Sequence, residues 1–315
     1  MHFTSIVLIA IVQLYSSFSY AFCTYTSRWS SSHTLYSSHT LHTEELRPSP
    51  PTADIVLSAG NCAFAHHCGF LEGVEQALSV DRVGAVLGTS SGALVGALWA
   101  AGYSAKDIAR IIEQESKEGG WLAVVKKPRR NPWRGLFSLL DLVVLLQEYL
   151  PPTFEELLFP FAVQVQDSDG KPSLLRSGPL PEAVAASLAA AFIFKPVVIQ
   201  GKTFRSTAAR DWTGLSACTR WRPGRRVLVH CVEDGRGLKG DISGLGDWVQ
   251  DPRIVVIRSP RSRSSFLRGL VEYEQEHMVA LKRMLQVVAP EVIHQLPSLY
   301  PDEAYAEYLF ASLDA

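Results

Sequence analysis

Two short apolar runs open the patterned part of the chain, and each is followed by small residues and then by a helical pattern. The runs at residues 54–58 and 83–87 have the length and composition of buried strands. After the first run, Phe70, Val74 and Leu78 recur at helical spacing. Because two strand-turn-helix units in tandem form a parallel sheet, both strands are expected to end at the same edge of that sheet.

The helix after the second strand has no polar face, so it is predicted to be buried on all sides. Its large residues are Leu94, Val95, Leu98 and Trp99. Gly102 is placed to end this helix, and Ser104 with Asp107 is placed to cap the next one.

The turn between the second strand and its helix reads Gly88-Thr89-Ser90-Ser91-Gly92. A serine on such a turn can form a nucleophile elbow, in which its hydroxyl projects away from the sheet. Gly88 and Gly92 meet the need for residues without a Cβ where backbone packs on backbone. The helix that follows directs its free amides towards Ser90 and favours negative charge there. The alternative is a small-residue turn that only begins a buried helix.

The second half of the domain shows weaker patterns of the same kind. Residues 196–199 and 202–205 read as strands joined by a turn at 200–201. Residues 227–229 and 254–257 read as later strands. A closing helix is expected over 267–288. The order of strands and helices predicts an α/β fold.

Composition excludes several classes of protein. The 315 residues carry a net charge of −1, which gives no reason to expect nucleic acid as a partner. The five cysteines show neither CxxC pairs nor a histidine pattern suited to zinc, and a disulfide framework is not expected at this length. The cysteines therefore give no indication of a zinc site.

The first 52 residues read as a leader. An apolar run at 6–12 and small residues up to Ala21 predict a signal peptide over 1–21. Residues 22–52 are rich in Ser and Thr with no acid before Glu44, which is typical of a transit peptide or a linker.

Two destinations follow from this leader. A signal peptide joined to a transit-like tract predicts entry into the secretory pathway and a bipartite plastid presequence. The alternative is a plain linker in a secreted or endomembrane protein. The folded domain is predicted over 53–290, with a C-terminal tail over 291–315.

At its motifs the chain resembles the patatin-like phospholipase family. Residues 57–61 and 67–71 are similar to the family's opening strand, loop and His-x-Gly helix. Residues 88–92 match its nucleophile elbow in full, and residues 100–104 are also similar. The resemblance resumes over residues 183–215 and covers about half of the chain.

The resemblance implies a three-layer α/β/α fold with a mainly parallel sheet and a Ser-Asp dyad. The substrates it implies are acyl esters of glycerolipids or phospholipids, without metal or organic cofactor. Ser90 takes the place of the nucleophile by direct match. Gly60 and Asn61 fall in the oxyanion loop, and Ser91 follows the nucleophile and offers a further amide.

The chain departs from the family where the dyad aspartate is expected. Ser206-Thr207-Ala208 occupies that place, and a serine cannot act as a carboxylate base. Asp211 is the nearest carboxylate. It is a candidate substitute base, and the alternative is that it pairs with Arg210 or caps the loop.

A histidine base would restore an ordinary dyad, and His66 and His67 are the candidates. His67 matches a family histidine that packs on the helix rather than catalysing. A hydrogen-bonded structural histidine is the alternative to a catalytic one.

A basic cluster precedes the apolar segment 136–150. Its residues are Lys126, Lys127, Arg129, Arg130 and Trp133. Cations beside an aromatic residue are attracted to an anionic membrane surface, so the cluster predicts peripheral membrane contact. The alternative is a solvated loop that leads into a core helix.

The sequence therefore leaves three candidate functions to compare. The first is a lipid acyl hydrolase that works through an acyl-Ser90 intermediate. The second is a catalytically impaired protein that keeps the elbow as architecture and binds lipid or partners, because the dyad position holds Ser206. The third, a nucleotide-binding domain, is disfavoured because the first loop holds only Gly60 and no Lys-Ser/Thr ending.

Overall fold

The computed structural model describes residues 53–60, 63–78, 80–118, 137–191, 193–232, 251–259, 277 and 279–284. The predicted leader, the C-terminal tail, the basic cluster at 126–133 and the oxyanion-loop residue Asn61 lie outside the described residues.

A six-stranded, mostly parallel sheet forms the centre of the fold, as the tandem strand-turn-helix pattern predicts. The strands are β1 (Ala53–Leu57), β2 (Val83–Gly88), β3 (Phe161–Gln166), β4 (Pro172–Leu175), β7 (Val227–Val232) and β8 (Ile254–Ser259). They lie in the order β4-β3-β2-β1-β7-β8, and only β4 is antiparallel to its neighbour. Strands β5 (Val197–Ile199) and β6 (Lys202–Phe204) form a separate hairpin.

The carboxyl ends of the central strands lie level with one another. Leu57 at the end of β1 is in register with Gly88 at the end of β2 and with His230 in β7. The connections that follow β1 and β2 therefore meet at one sheet edge. That edge is where ligands bind in open parallel sheets.

Helices cover both faces of the sheet. They are α1 (Phe64–Ala77), α2 (Ser91–Ala100), α3 (Ala105–Glu118), α4 (Leu140–Tyr149), α5 (Leu180–Leu188) and α6 (Leu215–Trp221). Ile55 and Leu57 of β1 pack in the cluster formed with α1 to α5. Val56, between them, packs in the cluster that contains Leu215 of α6. Because side chains alternate along a strand, one strand serves both cores, and the three-layer α/β/α arrangement is confirmed.

Helix α2 runs through the middle of the larger core. All ten of its residues are buried, as its uniformly apolar sequence predicts. Gly102 follows it with φ of 102°. The Ser104 hydroxyl accepts a hydrogen bond from the Asp107 amide at 3.1 Å, which is the predicted cap of α3.

The hairpin of β5 and β6 delivers the chain to residue 206. Gln200 and Gly201 form its turn, with φ of 49° and 79°. Arg205 then exchanges two backbone hydrogen bonds with Gln166 at the end of β3, at 2.8 and 2.9 Å. The loop after Arg205 is thereby fixed against the main sheet. Within the described residues no helix combines the length and the hydropathy needed to cross a bilayer.

Candidate active site

Ser90 lies on a strained turn between β2 and α2. Its φ is 54° and its ψ is −118°, a conformation that residues with a side chain rarely adopt. Among the described residues only Gln200 shares a positive φ without being glycine. Such a conformation persists only where the surrounding structure enforces it, and it is a common feature of active sites. The backbone is that of the predicted nucleophile elbow.

Close contacts with the backbone exclude any side chain at the two elbow glycines. A Cβ on Gly88 would lie 2.5 Å from the Cα of Ala93, inside the first turn of α2. A Cβ on Gly92 would lie 2.4 Å from the carbonyl oxygen of Leu57. Neither obstacle is a side chain that could rotate away, so both positions require glycine.

Three hydrogen bonds hold the elbow in place. The amide of Thr89 donates to the carbonyl of Leu57 at 3.0 Å. The amide of Ser90 donates to the Ser187 hydroxyl at 2.8 Å, and that hydroxyl donates to the carbonyl of Gln164 at 2.8 Å. Because the Ser90 amide already donates to Ser187, it is not available to the oxyanion of an acyl group attached to Ser90 Oγ.

The Ser91 amide is the donor best placed for such an oxyanion. Within the described part of the chain, no group accepts a hydrogen bond from it. It stands at the first position of α2, where the helix dipole adds positive potential. Gly60 of the predicted oxyanion loop is adjacent, since a Cβ there would lie 3.4 Å from Ser91 Oγ. The structure brings Gly60, Ser90 and Ser91 together, as the sequence predicts.

The loop that carries Gly60 is held by the far end of the domain. The amide of Ser58 donates to the carbonyl of His230 at 3.0 Å, and its hydroxyl accepts from the amide of Val232 at 3.1 Å. The amide of Ala59 donates to the carbonyl of Trp212 at 2.8 Å. The loop therefore depends on β7 and on the loop that carries Asp211.

Ser206 lies where the family aspartate is expected, directly after the β5–β6 hairpin. Its amide donates to the carbonyl of Ala189 at 3.0 Å, and its hydroxyl accepts from the amide of Ala208 at 3.3 Å. Thr207 is fully buried, and its hydroxyl has no hydrogen-bond partner among the described groups. No carboxylate stands in this turn.

Both carboxylate oxygens of Asp211 are occupied. Oδ1 accepts from the Gly214 amide at 2.9 Å and from the Thr213 hydroxyl at 3.4 Å. Oδ2 accepts from Gln164 Nε2 at 2.7 Å and from the Ser216 hydroxyl at 3.3 Å. These donors belong to β3 and to the start of α6, so Asp211 caps the loop that enters α6.

Arg210, the alternative partner of Asp211, bonds elsewhere. Its Nη1 donates to the carbonyl of Gly170 at 2.9 Å. Among the described residues, Asp211 makes no hydrogen bond to Ser90, and its connection to the elbow runs through Gln164. A role as base would require the carboxylate to leave this set of donors.

Gln164 and Ser187 belong to the site, although the sequence analysis did not identify them. Gln164 Oε1 accepts from the Thr89 hydroxyl at 2.9 Å while its Nε2 donates to Asp211, so it links the elbow to the loop before α6. The signal was an isolated polar residue in the apolar strand β3, and Ser187 is likewise polar on the buried helix α5. A buried polar side chain requires a partner.

His67 lies beneath Ser91 rather than beside Ser90. Its Nε2 is 3.4 Å from Ser91 Oγ, and its Nδ1 is 2.9 Å from the Nδ1 of His230. Complete burial, with a further contribution from neighbouring His66, lowers the pKa of His67 to about 3. The ring is therefore neutral at physiological pH.

A search for metal-binding groups gives no candidate. Within the described residues, no cluster of three or more His, Cys, Asp or Glu side chains could hold an ion. Cys68, Cys218 and Cys231 are buried.

The family model described as patatin-like phospholipase matches residues 55–211. A search of curated proteins finds no significant match.

Three solved structures match this chain at low identity. VipD from Legionella pneumophila is 12% identical, with a TM-score of 0.42, 81% of this chain covered and 72% of VipD. The type III effector protein ExoU is 17% identical, with a TM-score of 0.39, 84% of this chain covered and 62% of ExoU. ExoU of Pseudomonas aeruginosa in complex with SpcU is 15% identical, with a TM-score of 0.36, 76% of this chain covered and 53% of that chain.

Proposed function

Since the chain belongs to the patatin-like phospholipase family, whose members are lipid hydrolases, we propose that it cleaves ester bonds of glycerolipids or phospholipids through an acyl-Ser90 intermediate. The observation that carries the proposal is the elbow itself. Ser90 is held at φ of 54° between two positions that admit only glycine. Strain of this kind is retained where it presents a reacting group.

The reaction proceeds in two displacements. Ser90 Oγ attacks the acyl carbonyl carbon, and the carbonyl oxygen becomes an oxyanion that the Ser91 amide and the loop near Gly60 and Asn61 stabilise. Collapse of this intermediate breaks the bond to the alcohol, which leaves with a proton from solvent. Water then attacks acyl-Ser90, releases the fatty acid and restores the hydroxyl.

The proton of Ser90 passes to solvent in this mechanism, because the turn at Ser206 supplies no carboxylate. Losing a positioned base lowers the rate by about a hundred- to ten-thousandfold. The oxyanion site and substrate binding alone still provide roughly a thousand- to ten-thousandfold acceleration over water. The proposed activity is therefore a slow hydrolysis.

A catalytically impaired lipid- or partner-binding protein is the second candidate. It is favoured by Ser206 in the dyad position and by the four donors that occupy Asp211. In that case the elbow is kept because its glycines and buried helix are part of the core.

Reaction with a fluorophosphonate probe separates the two candidates. The purified chain is compared with Ser90→Ala, Asp211→Asn and, as a matched control, Ser104→Ala at a serine outside the site. Labelling of the parent that is lost only on replacing Ser90 supports the hydrolase, and loss on replacing Asp211 as well makes Asp211 its base. Absence of labelling in a chain with a cooperative thermal transition favours the binding protein.

We further propose that Lys126, Lys127, Arg129, Arg130 and Trp133 bring the chain to an anionic membrane. Apolar side chains on neighbouring described elements support this contact. Leu140 and Val144 on α4 are 72% and 59% exposed. Ile193 is 45% exposed, and its carbonyl accepts from the amide of Phe137 at 3.0 Å, just before α4.

Vesicle sedimentation tests the membrane contact. Replacing the four cations by Gln is expected to abolish binding to vesicles that contain anionic lipid. Replacement of the exposed Arg110 and Lys171 should leave binding intact. Unchanged binding by the fourfold variant would refute the contact.

The leader is proposed to direct the chain into the secretory pathway, with a plastid as its destination. A reporter fused to residues 1–50 tests this in a cell with a secondary plastid. Secretion of the reporter would favour the plain linker.

A further inference from the structure

Four buried side chains form a continuous hydrogen-bonded row behind the elbow. Ser91 Oγ lies 3.4 Å from His67 Nε2, the two histidine Nδ1 atoms lie 2.9 Å apart, and His230 Nε2 lies 2.9 Å from Ser259 Oγ. The four residues come from α2, α1, β7 and β8, and each is at most 1% exposed. The row joins the residue after Ser90 to the far strand of the sheet.

The contact between the two Nδ1 atoms fixes how protons are shared. One Nδ1 must carry a proton and the other must accept it, and a neutral imidazole carries one proton only. The two rings are therefore opposite tautomers. In one arrangement His67 Nε2 donates to Ser91 and Ser259 donates to His230, and in the other every direction is reversed.

The surroundings keep both rings neutral and fixed. Phe70 stacks on His230 with centroids 4.6 Å apart and planes at 2°, while the His67 ring meets His230 edge-on at 4.9 Å. Burial is the main cause that lowers the pKa of both rings; His66 lowers both further, and His67 adds to the lowering of the His230 pKa. A hydrogen bond to the backbone of Ser58 partly opposes this for His67.

We propose that His67 and His230 are positioning residues, which anchor the Ser91 hydroxyl and thereby direct the Ser91 amide at the oxyanion of acyl transfer. This role rests on the proposed hydrolase function. Ser91 Oγ is 3.4 Å from where a Gly60 Cβ would lie, so the anchored hydroxyl also sets the distance between the elbow and the oxyanion loop. Two apolar side chains in place of His67 and His230 could fill the same space, but they would leave the buried Ser91 hydroxyl without a partner.

Nuclear magnetic resonance of the chain labelled with ¹⁵N-histidine tests the row without reference to activity. Long-range ¹H–¹⁵N spectra should show one ring protonated at Nδ1 and the other at Nε2. Both should stay neutral from pH 7 down to about pH 5, below the ordinary pKa of about 6.5. The same tautomer in both rings, or titration of either near its ordinary pKa, would overturn the proposal.

Ser259→Ala sharpens that experiment with a mild change. The His230 Nε2 then has no partner, and a buried acceptor without a partner is less costly than a buried N–H without one. The variant should settle in the state with the proton on His230 Nδ1 and on His67 Nε2. A shift to the opposite state would contradict the pairing.

Kinetics of fluorophosphonate labelling test the positioning role. His230→Leu and Ser91→Ala should each lower the maximal labelling rate about tenfold with little change in the half-saturating concentration, because oxyanion donors act in the transition state. Cys231→Ala, at the next residue of β7, should label at the parental rate and controls for loss of packing.

The outcomes separate the two proposals. A parent chain that takes no label overturns both the hydrolase and the positioning role. A labelled parent whose folded His230→Leu and Ser91→Ala variants react at the parental rate overturns the positioning role alone. Equal slowing by Cys231→Ala would also overturn it.

Discussion

The turn around Ser90 and the loop from Ser206 to Asp211 form the two sides of the candidate site. Only the first side carries all the groups that the proposed reaction requires. On the nucleophile side, Gly88, Gly92 and the amide of Ser91 are all in place. On the other side, a serine stands where the family has its carboxylate, although the hairpin that leads to it is intact. The candidate site thus has the backbone of the elbow but no carboxylate in the turn at Ser206.

Packing explains why the two sides differ in their tolerance to change. Any side chain on Gly88 or Gly92 meets main-chain atoms at about 2.5 Å or less. Ser206 is held by one backbone hydrogen bond to Ala189, which other residues could make, and its hydroxyl accepts one from the amide of Ala208. Retention of Gly88 and Gly92 is therefore expected whether or not the chain is catalytic, whereas the strained backbone at Ser90 and the residue at 206 bear on catalysis.

The largest effect is expected from Gly92→Ala. The added Cβ would meet the carbonyl oxygens of Leu57 and Ser58 at 2.4 and 2.6 Å. We expect at least about 4 kcal/mol of destabilisation, a size that single substitutions reach only exceptionally. Urea unfolding measures it.

Gly224→Ala is the matched control, because a Cβ there has nothing within 4 Å although φ is 77°. We expect a loss of only about 1 kcal/mol from backbone strain. Similar losses at the two sites would show that close backbone packing does not set the requirement at Gly92.

Ser206→Asp should restore the missing group and raise ester hydrolysis at least about a hundredfold, the lower bound for a positioned base. Ser206→Asn has nearly the same shape and cannot accept a proton, so it should leave the rate unchanged. Turnover of a short-chain nitrophenyl ester measures both. Equal rates in the two variants would mean that position 206 does not reach Ser90.

Asp211→Asn separates a base from a structural cap. As a cap, its loss leaves donors of Gly214, Gln164 or Ser216 unpaired and destabilises the fold by about 2 kcal/mol, with labelling of Ser90 reduced only severalfold. As a base, its loss would reduce labelling about a hundredfold or more. Parallel urea unfolding and labelling rates distinguish the two.

Stability should also depend on pH. His67 and His230 have lowered pKa values in the fold and ordinary ones when unfolded, so protons bind preferentially to the unfolded chain. The contribution of His67 is complete above about pH 6.5 and is lost as the pH falls towards about 3, and that of His230 is likewise complete above about pH 6.5 and is lost as the pH falls below it. Each ring should contribute roughly 1 kcal/mol per pH unit in that range.

Urea unfolding between pH 4 and 7 checks this dependence. Replacement of His230 by Leu should flatten the curve relative to the parent. A parent curve without slope between pH 5 and 6 would contradict burial of neutral rings.

The sequence was sufficient for the parts of the fold that depend on local pattern. The strands β1 and β2, the buried helix α2, the Gln200-Gly201 turn and the cap at Ser104 follow from periodicity and from residues suited to turns. The elbow followed for the same reason, because its glycines and serine are adjacent in the chain.

The polar partners of the site could not be predicted because they are distant in sequence. Gln164 lies 47 residues from Asp211, and His230 lies 163 residues from His67. Gln164 and His230 are buried polar residues in largely apolar strands, which signals that a partner exists and does not identify it. The hydrogen bonds that Asp211 accepts also depend on how β3 and α6 pack together, which is a matter of tertiary structure and not of local sequence.

The anchoring of the loop at 58–60 has a consequence for the order of synthesis. Its hydrogen bonds run to Trp212, His230 and Val232, all of which leave the ribosome at least 150 residues after the loop itself. Until those residues emerge, the loop lacks the bonds that shape it, although Ser90 has long been made. A nascent chain thus carries Ser90 before the contacts that shape the neighbouring loop, and the candidate site is completed only when β7 arrives.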